Sequence, residues 1–167
     1  LITTYDALGR KTAVQQDAVS VYTFTGNVAT STLITASPTT VYSYNALGQL
    51  VRETLIARNA SGVTVQNGAS NVYYYDLAGQ RIGSVDGQGN YTRMEYNVLG
   101  KVSRQVEYAN GLSGWDDSTP PSPPVISVND RSTRFEYDAM GRLSQVTQEG
   151  VRYWQQTING QSGTVSA

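Results

Sequence analysis

Apolar and polar positions alternate with a period of two in a series of short runs, each ending near a glycine. Tyr42 and Tyr44, Tyr73 and Tyr75, Met94 and Tyr96, and Phe135 and Tyr137 lie two residues apart, the spacing that places side chains on one face of a β-strand. The opposite face carries Arg93 with Glu95 and Arg134 with Glu136. This pattern predicts antiparallel strands that are aromatic on one face and wetted on the other. Val41 with Ser43 and Val72 with Tyr74 make the second face less polar, so part of it is expected to be covered too. Return strands are predicted over 50–56, 81–85, 102–108 and 143–147. Leu143 and Val146 are three apart and break the alternation, which a β-bulge would reconcile.

Between each outgoing and return strand stands the same phrase. It occurs as Tyr5-Asp6-Ala7-Leu8-Gly9-Arg10, Tyr44-Asn45-Ala46-Leu47-Gly48-Gln49, Tyr75-Asp76-Leu77-Ala78-Gly79-Gln80, Tyr96-Asn97-Val98-Leu99-Gly100-Lys101 and Tyr137-Asp138-Ala139-Met140-Gly141-Arg142. The tyrosines are 39, 31, 21 and 41 residues apart. The shortest interval is taken as the bare unit, and the surplus in the others as loop insertions, where added length costs little. The phrase fits a three-residue hairpin loop, a type I turn followed by a left-handed residue that Gly adopts without steric cost. An Asp or Asn side chain would fix the turn by accepting the N–H two residues on. An ion pair from Asp6 to Arg10 or Asp138 to Arg142 is the alternative. The Asn45, Asp76 and Asn97 copies lack an equivalent pairing, so the shared oxygen acceptor is the better explanation. Leu8, Leu47, Leu77, Leu99 and Met140 sit at the loop tips, and their recurrence suggests packing against neighbouring units.

Composition narrows the chemistry. The chain has 167 residues, a net charge of −1, no Cys and no His. Disulfides, thiolate nucleophiles, Ser-His-Asp catalysis and His or Cys metal ligation are excluded, and the charge gives no footprint for nucleic acid. No apolar run approaches the ~20 residues of a membrane-spanning helix. Twelve of the aromatic residues are Tyr, a residue suited to half-buried pleated surfaces.

The five Tyr-(Asp/Asn)-x-x-Gly phrases, most with an aromatic or apolar residue two positions earlier, resemble the YD repeats of the RHS family. That family includes bacterial RHS polymorphic toxins, the shell components of insecticidal toxin complexes, and teneurins. The resemblance covers about 1–150 and singles out Tyr5, Asp6, Gly9, Tyr44, Asn45, Gly48, Tyr75, Asp76, Gly79, Tyr96, Asn97, Gly100, Tyr137, Asp138 and Gly141 as structural repeat positions. It implies an all-β, spiralling sheet of hairpins that walls in a C-terminal toxin or effector domain. It also implies a secreted or cell-surface location and, as partners, other repeats and cargo in the same polypeptide. The family's Asp-Pro self-cleavage motif has no counterpart in this stretch.

Other candidates weigh less. The tyrosines could stack on sugar rings, with Trp115, Tyr73 and Tyr74 as ligand contacts, but repetition at equivalent positions favours cross-strand packing. Asp116-Asp117 is the adjacent carboxylate pair a glycosidase reading would need, in a stretch that reads as a solvated loop. Asp86-Gly87-Gln88-Gly89-Asn90 lacks the further ligands of a calcium loop and the third Gly of a dinucleotide fingerprint, and reads as a turn. Asn59-Ala60-Ser61 and Asn90-Tyr91-Thr92 match the glycosylation sequon. Loops are expected near 57–70, with Asn67-Gly68, and over 109–129, which holds Pro120, Pro121, Pro123 and Pro124 and is pinned by Trp115. A further strand at 151–158, a turn at Asn159-Gly160 and a polar tail complete the chain. It opens at Leu1 without Met and is read as an excerpt of a larger protein.

The expected role is therefore a scaffold that is not an enzyme, with no cofactor and no metal. A carbohydrate- or receptor-binding surface module is the alternative. A sheet cut from a spiral would expose unpaired edges and be prone to self-association.

Overall fold

The computed structural model describes residues 1–24, 31–149, 155–158 and 161–164, with side chains described for 1–20 and 35–149. The fold is all-β, as the alternation predicts. β1 (Ile2–Tyr5) and β2 (Lys11–Gln15) form the first hairpin, and β3 (Val19–Phe24) continues along the long β4 (Ser31–Tyr44). Then follow β5 (Leu50–Arg58), β6 (Thr64–Tyr75), β7 (Arg81–Val85), β8 (Tyr91–Tyr96), β9 (Val102–Glu107), β10 (Arg131–Tyr137) and β11 (Leu143–Glu149). Together they make one antiparallel sheet of 11 strands, ordered essentially as in the chain. β12 (Gln155–Ile158) and β13 (Gln161–Thr164) pair with one another in a separate ribbon. The rest of the predicted strand at 151–158, and the turn at Asn159-Gly160, lie outside the described residues. No helix in the described residues is long and apolar enough to cross a membrane.

The meander puts all five phrases at one end of the strands, because each occupies every second connection. The extra length in the first two intervals goes into longer strands rather than the expected loops. β2 and β3 act as one interrupted strand against β4: Gln15 faces Thr39 and Val19 faces Ala36. The interruption falls opposite Pro38, which has no N–H for the ladder, while its carbonyl accepts the Gln16 N–H at 2.8 Å. The loop expected near 57–70 is likewise mostly β5 and β6, joined by a short turn over Asn59–Val63. Asn67-Gly68 lies within β6 at a register shift. Gly68 is required there, since a Cβ would stand 2.4 Å from the Leu55 carbonyl oxygen.

The expected loop over 109–129 is present, and it positions the core. Val72, Tyr74, Val85 and Tyr91 are buried together, with Ile82, Tyr108, Leu112 and Trp115 packed against them. Val72 pairs with Val85, and Val85 with Tyr91, so this core lies on the face opposite the phrase tyrosines. That is the face whose Val72 and Tyr74 broke the polar pattern. On the other face Tyr44, Tyr75, Tyr96 and Tyr137 are half-buried and Tyr5 is exposed.

Candidate functional site

Each phrase closes one hairpin in one way. In the first, the Gly9 N–H donates to the Asp6 carbonyl at 3.0 Å and the Asp6 N–H to the Arg10 carbonyl at 2.9 Å. The Asp6 carboxylate accepts the N–H groups of Leu8 and Arg10, both at 2.9 Å. Asn45, Asp76, Asn97 and Asp138 repeat this double acceptance. Gly9, Gly48, Gly79, Gly100 and Gly141 have φ between 72° and 82°, the left-handed region that a Cβ disfavours. The three-residue turn read from the sequence is thus present at all five phrases. Ion pairs also form where the charges allow: Asp6–Arg10 at 2.7 Å and Asp138–Arg142 at 2.8 Å. They supplement the turn, because Asn45 and Asn97 build it without a charge.

The hydrogen bonds shift two of these carboxyls. The Arg10 N–H holds the Asp6 carboxyl below the usual carboxylate range against opposing partial burial, aided by the Arg10 guanidinium. The Arg142 N–H and guanidinium do the same for Asp138.

Two further turns share this geometry without the leading Tyr. Asn59 accepts the Ser61 and Val63 N–H groups, and Asp86 those of Gln88 and Asn90. Gly62 and Gly89 take φ of 77° and 86°. The Asp86 stretch is therefore a turn, as expected. Burial pushes its carboxyl up, but the hydrogen bonds from Asn90, Gln88 and Gly89 outweigh this and leave it lowered. The Asn-x-x-Gly spacing at Asn59 was the available signal for the other.

Immediately after each phrase the return strand bulges. Thr4 pairs with Ala13 but Tyr5 with Lys11, leaving Thr12 extra. Val51, Ile82, Ser103 and Ser144 are the equivalents, which accounts for the broken alternation at Leu143. The ladder between successive hairpins begins just beyond the bulge. It starts at Ala13–Val41, Arg52–Val72, Gly83–Arg93 and Arg104–Arg134. In all four, the residue eight after one phrase tyrosine meets the residue three before the next.

The carbonyl that the bulge turns away from this ladder is taken by the next phrase's tyrosine. The Tyr44 hydroxyl donates to the Lys11 carbonyl at 2.9 Å, Tyr75 to Leu50 at 2.9 Å, Tyr96 to Arg81 at 2.8 Å and Tyr137 to Val102 at 2.9 Å. The last residue of a phrase also reaches the following one. Arg10 lies 4.7 Å from the Tyr44 ring centre and Lys101 5.4 Å from that of Tyr137, within cation–π range. Gln49 donates to the Gly79 carbonyl at 3.2 Å. The phrase tyrosine is thus a staple between hairpins, a role the sequence reading did not identify.

The tip residues do not pack as expected. Leu8, Leu47, Leu77, Leu99 and Met140 are all exposed, by between 65% and 106%. The turn holds them beyond the strand ends, where no neighbouring strand reaches.

The proposed ligand-contact residues are engaged in structure. Tyr74 is buried and donates to the Asp116 carbonyl at 2.6 Å. Tyr73 donates to Glu53 at 2.6 Å, and burial and that carboxylate push its phenol up to about 12. Trp115 packs over Gly89, where a Cβ would stand 2.9 Å from the Leu112 carbonyl oxygen and 3.1 Å from the indole. Tyr91 and Tyr108 stack at 5.5 Å beneath the same loop. Asp130 ties the loop's neck by accepting the Ala109 and Ser127 N–H groups. Of the Asp116-Asp117 pair, Asp116 caps the Ser118 and Thr119 N–H groups and Asp117 pairs with Arg52 at 3.2 Å. Both carboxylates thus take part in holding the loop.

Open grooves flank the loop. One of about 390 Å³ is lined by Leu47, Val51, Tyr73, Leu77, Asp117 and Pro120. Another of about 370 Å³ includes Arg93, Glu95, Arg104 and Glu149, and these charges are paired with one another. No group of three or more His, Cys, Asp or Glu side chains able to hold a metal occurs among the described residues. Searched against family profiles and against curated proteins, the chain matches none.

Proposed function

We propose that this chain is a structural scaffold, a wall segment of an RHS-type YD-repeat shell that encloses or presents a toxin or effector domain. The observation that carries the reading is the common register of the four hairpin junctions. Each hairpin offers the next the same ladder and the same carbonyl, so the sheet extends by a fixed rule rather than folding back around a cleft. In such a wall, function is steric: a hydrogen-bonded surface separates what lies on its two sides, and no catalytic group is needed.

The test is limited proteolysis of the longest natural polypeptide containing this sequence. A segment outside the repeats should resist protease until the repeats melt, and then be cut at once. Cleavage of every other segment at its unfolded rate while the sheet remains native would reject the wall. A second reading, a carbohydrate- or receptor-binding module, draws on the groove beside Tyr73, with Leu47, Leu77 and the Asp117 carboxylate on its walls. A glycan array probed with the chain separates it from the first, since a wall alone gives only background.

A further inference from the structure

The insertion that covers the core also presents an outward surface of its own. Over 119–124 the chain reads Thr-Pro-Pro-Ser-Pro-Pro. Each proline fixes its own φ at about −65° and drives the residue before it out of the helical region, toward an extended polyproline II path. Burial follows the same path: Pro121, Pro124 and Ser127 are half-buried, and the residues between them are exposed. A period of three is that of the polyproline II helix, so one of its faces is laid on the protein. Pro120, Pro123 and Ile126 share a second face, and Ser122, Val125 and Val128 the third.

This ridge is uncovered yet held in place. Val125 and Ile126 are 82% and 85% exposed, and among the described residues nothing donates to a carbonyl of 119–124. Its ends are fixed, because the Asn110 side-chain amide donates to the Val125 carbonyl at 2.8 Å and the Tyr74 hydroxyl to the Asp116 carbonyl. Pro120 borders one of the open grooves described above and Ile126 the other, which leaves room for a partner's walls on both sides. No charged side chain occurs over 118–129. We propose that the 120–126 ridge is a docking site for a partner polypeptide presenting a groove of aromatic side chains, the mode by which polyproline II segments are recognised. Pro120 and Pro123 seat between the partner's rings, and the bare carbonyls accept from its Trp N–H and Tyr O–H groups. A ridge that is already ordered loses little conformational freedom on binding. An uncharged ridge offers no ion pair, so recognition is apolar and hydrogen-bonded.

The test immobilises the full chain and probes it with a panel of purified WW, SH3 and EVH1 domains, which between them sample aromatic-lined polyproline grooves. At least one should bind saturably. Pro120→Ala and Pro123→Ala should each weaken that binding about tenfold, the effect of two methylenes withdrawn from a buried contact. Leu99→Ala, at an exposed hairpin tip, should leave it unchanged. Equal thermal midpoints for the three variants and the parent show that the fold is intact. Binding by no domain, or binding that both proline variants retain, would overturn the proposal. Proline-dependent association with phosphatidylcholine vesicles or with further copies of the chain, in place of the domains, would overturn it likewise. None of these outcomes bears on whether the wall protects a neighbouring segment from protease, so the two readings fail separately.

Discussion

The middle of the sheet and its flanks are built with the same turns but not with the same protection. In β6 to β9, Val72 and Val85 are fully buried and Tyr91 nearly so, under the loop that carries Trp115. In β1 and β11 nearly every side chain is exposed or half-exposed, although Gly9 and Gly141 turn the chain just as Gly79 and Gly100 do. Turn chemistry therefore decides where the chain reverses and leaves the depth of burial to something else. In β6 to β9 that something is a single insertion laid across one face. A one-layer sheet has no second layer of its own, and the loop supplies one locally.

The strongest way to break this contrast is to remove the cover. Trp115→Ala should cost about 2–4 kcal/mol, below the ~3–5 kcal/mol of a fully buried large aromatic because Trp115 is half-buried. It should also raise amide exchange in β6 to β9 while leaving the outer hairpins unchanged. Leu143→Ala on the exposed flank should stay within about 0.5 kcal/mol, as for other surface changes. Denaturant midpoints for the two variants provide the check, and equal losses would erase the distinction.

A glycine pair sharpens it. Gly9→Ala imposes the left-handed conformation on a side chain with open space around it, at about 1–2 kcal/mol. Gly89→Ala adds a Cβ against the Leu112 carbonyl oxygen and the Trp115 ring. It should therefore lose a further ~1–3 kcal/mol to overpacking. Chemical denaturation measures the difference, and the two losses should not coincide.

The smallest effect is in pH, and it is shared by both regions. The folded-state carboxyls of Asp6, Asp138 and Asp86 lie below their ordinary value of 3.8. A depressed carboxylate contributes stability above its unfolded pKa and loses it as pH falls through the folded value. Thermal midpoints should be level near neutrality and begin to fall as pH drops through 3.8. Changing all three to Asn, the residue used naturally at Asn45 and Asn97, keeps the acceptor and should flatten the acid decline without a large loss at pH 7.

Much of this was legible because it is local. A turn that needs an oxygen acceptor and a left-handed residue declares itself in five residues, and the bulge at Leu143 is visible as a broken period. The core was less legible, because burial of Val72 and Tyr91 depends on where a loop distant in sequence comes to rest. The lengthened strands at 19–24, 31–44 and 50–75 were hidden by Pro38, Asn67 and Gly68, loop-forming residues that the sheet accommodates at irregularities in its ladder. The tyrosine staple was invisible for a third reason: its acceptor is a backbone carbonyl, which any residue supplies. Lys11, Leu50, Arg81 and Val102 share no side-chain chemistry, so nothing marks them along the chain.

The common register also bears on how such a molecule changes over generations. An in-frame duplication running from one phrase tyrosine to the next inserts a pair of strands whose borders already fit their new neighbours, and an in-frame deletion closes as neatly. Length then varies by whole hairpins without any compensating substitution, and the intervals between tyrosines are free to diversify on the far rim.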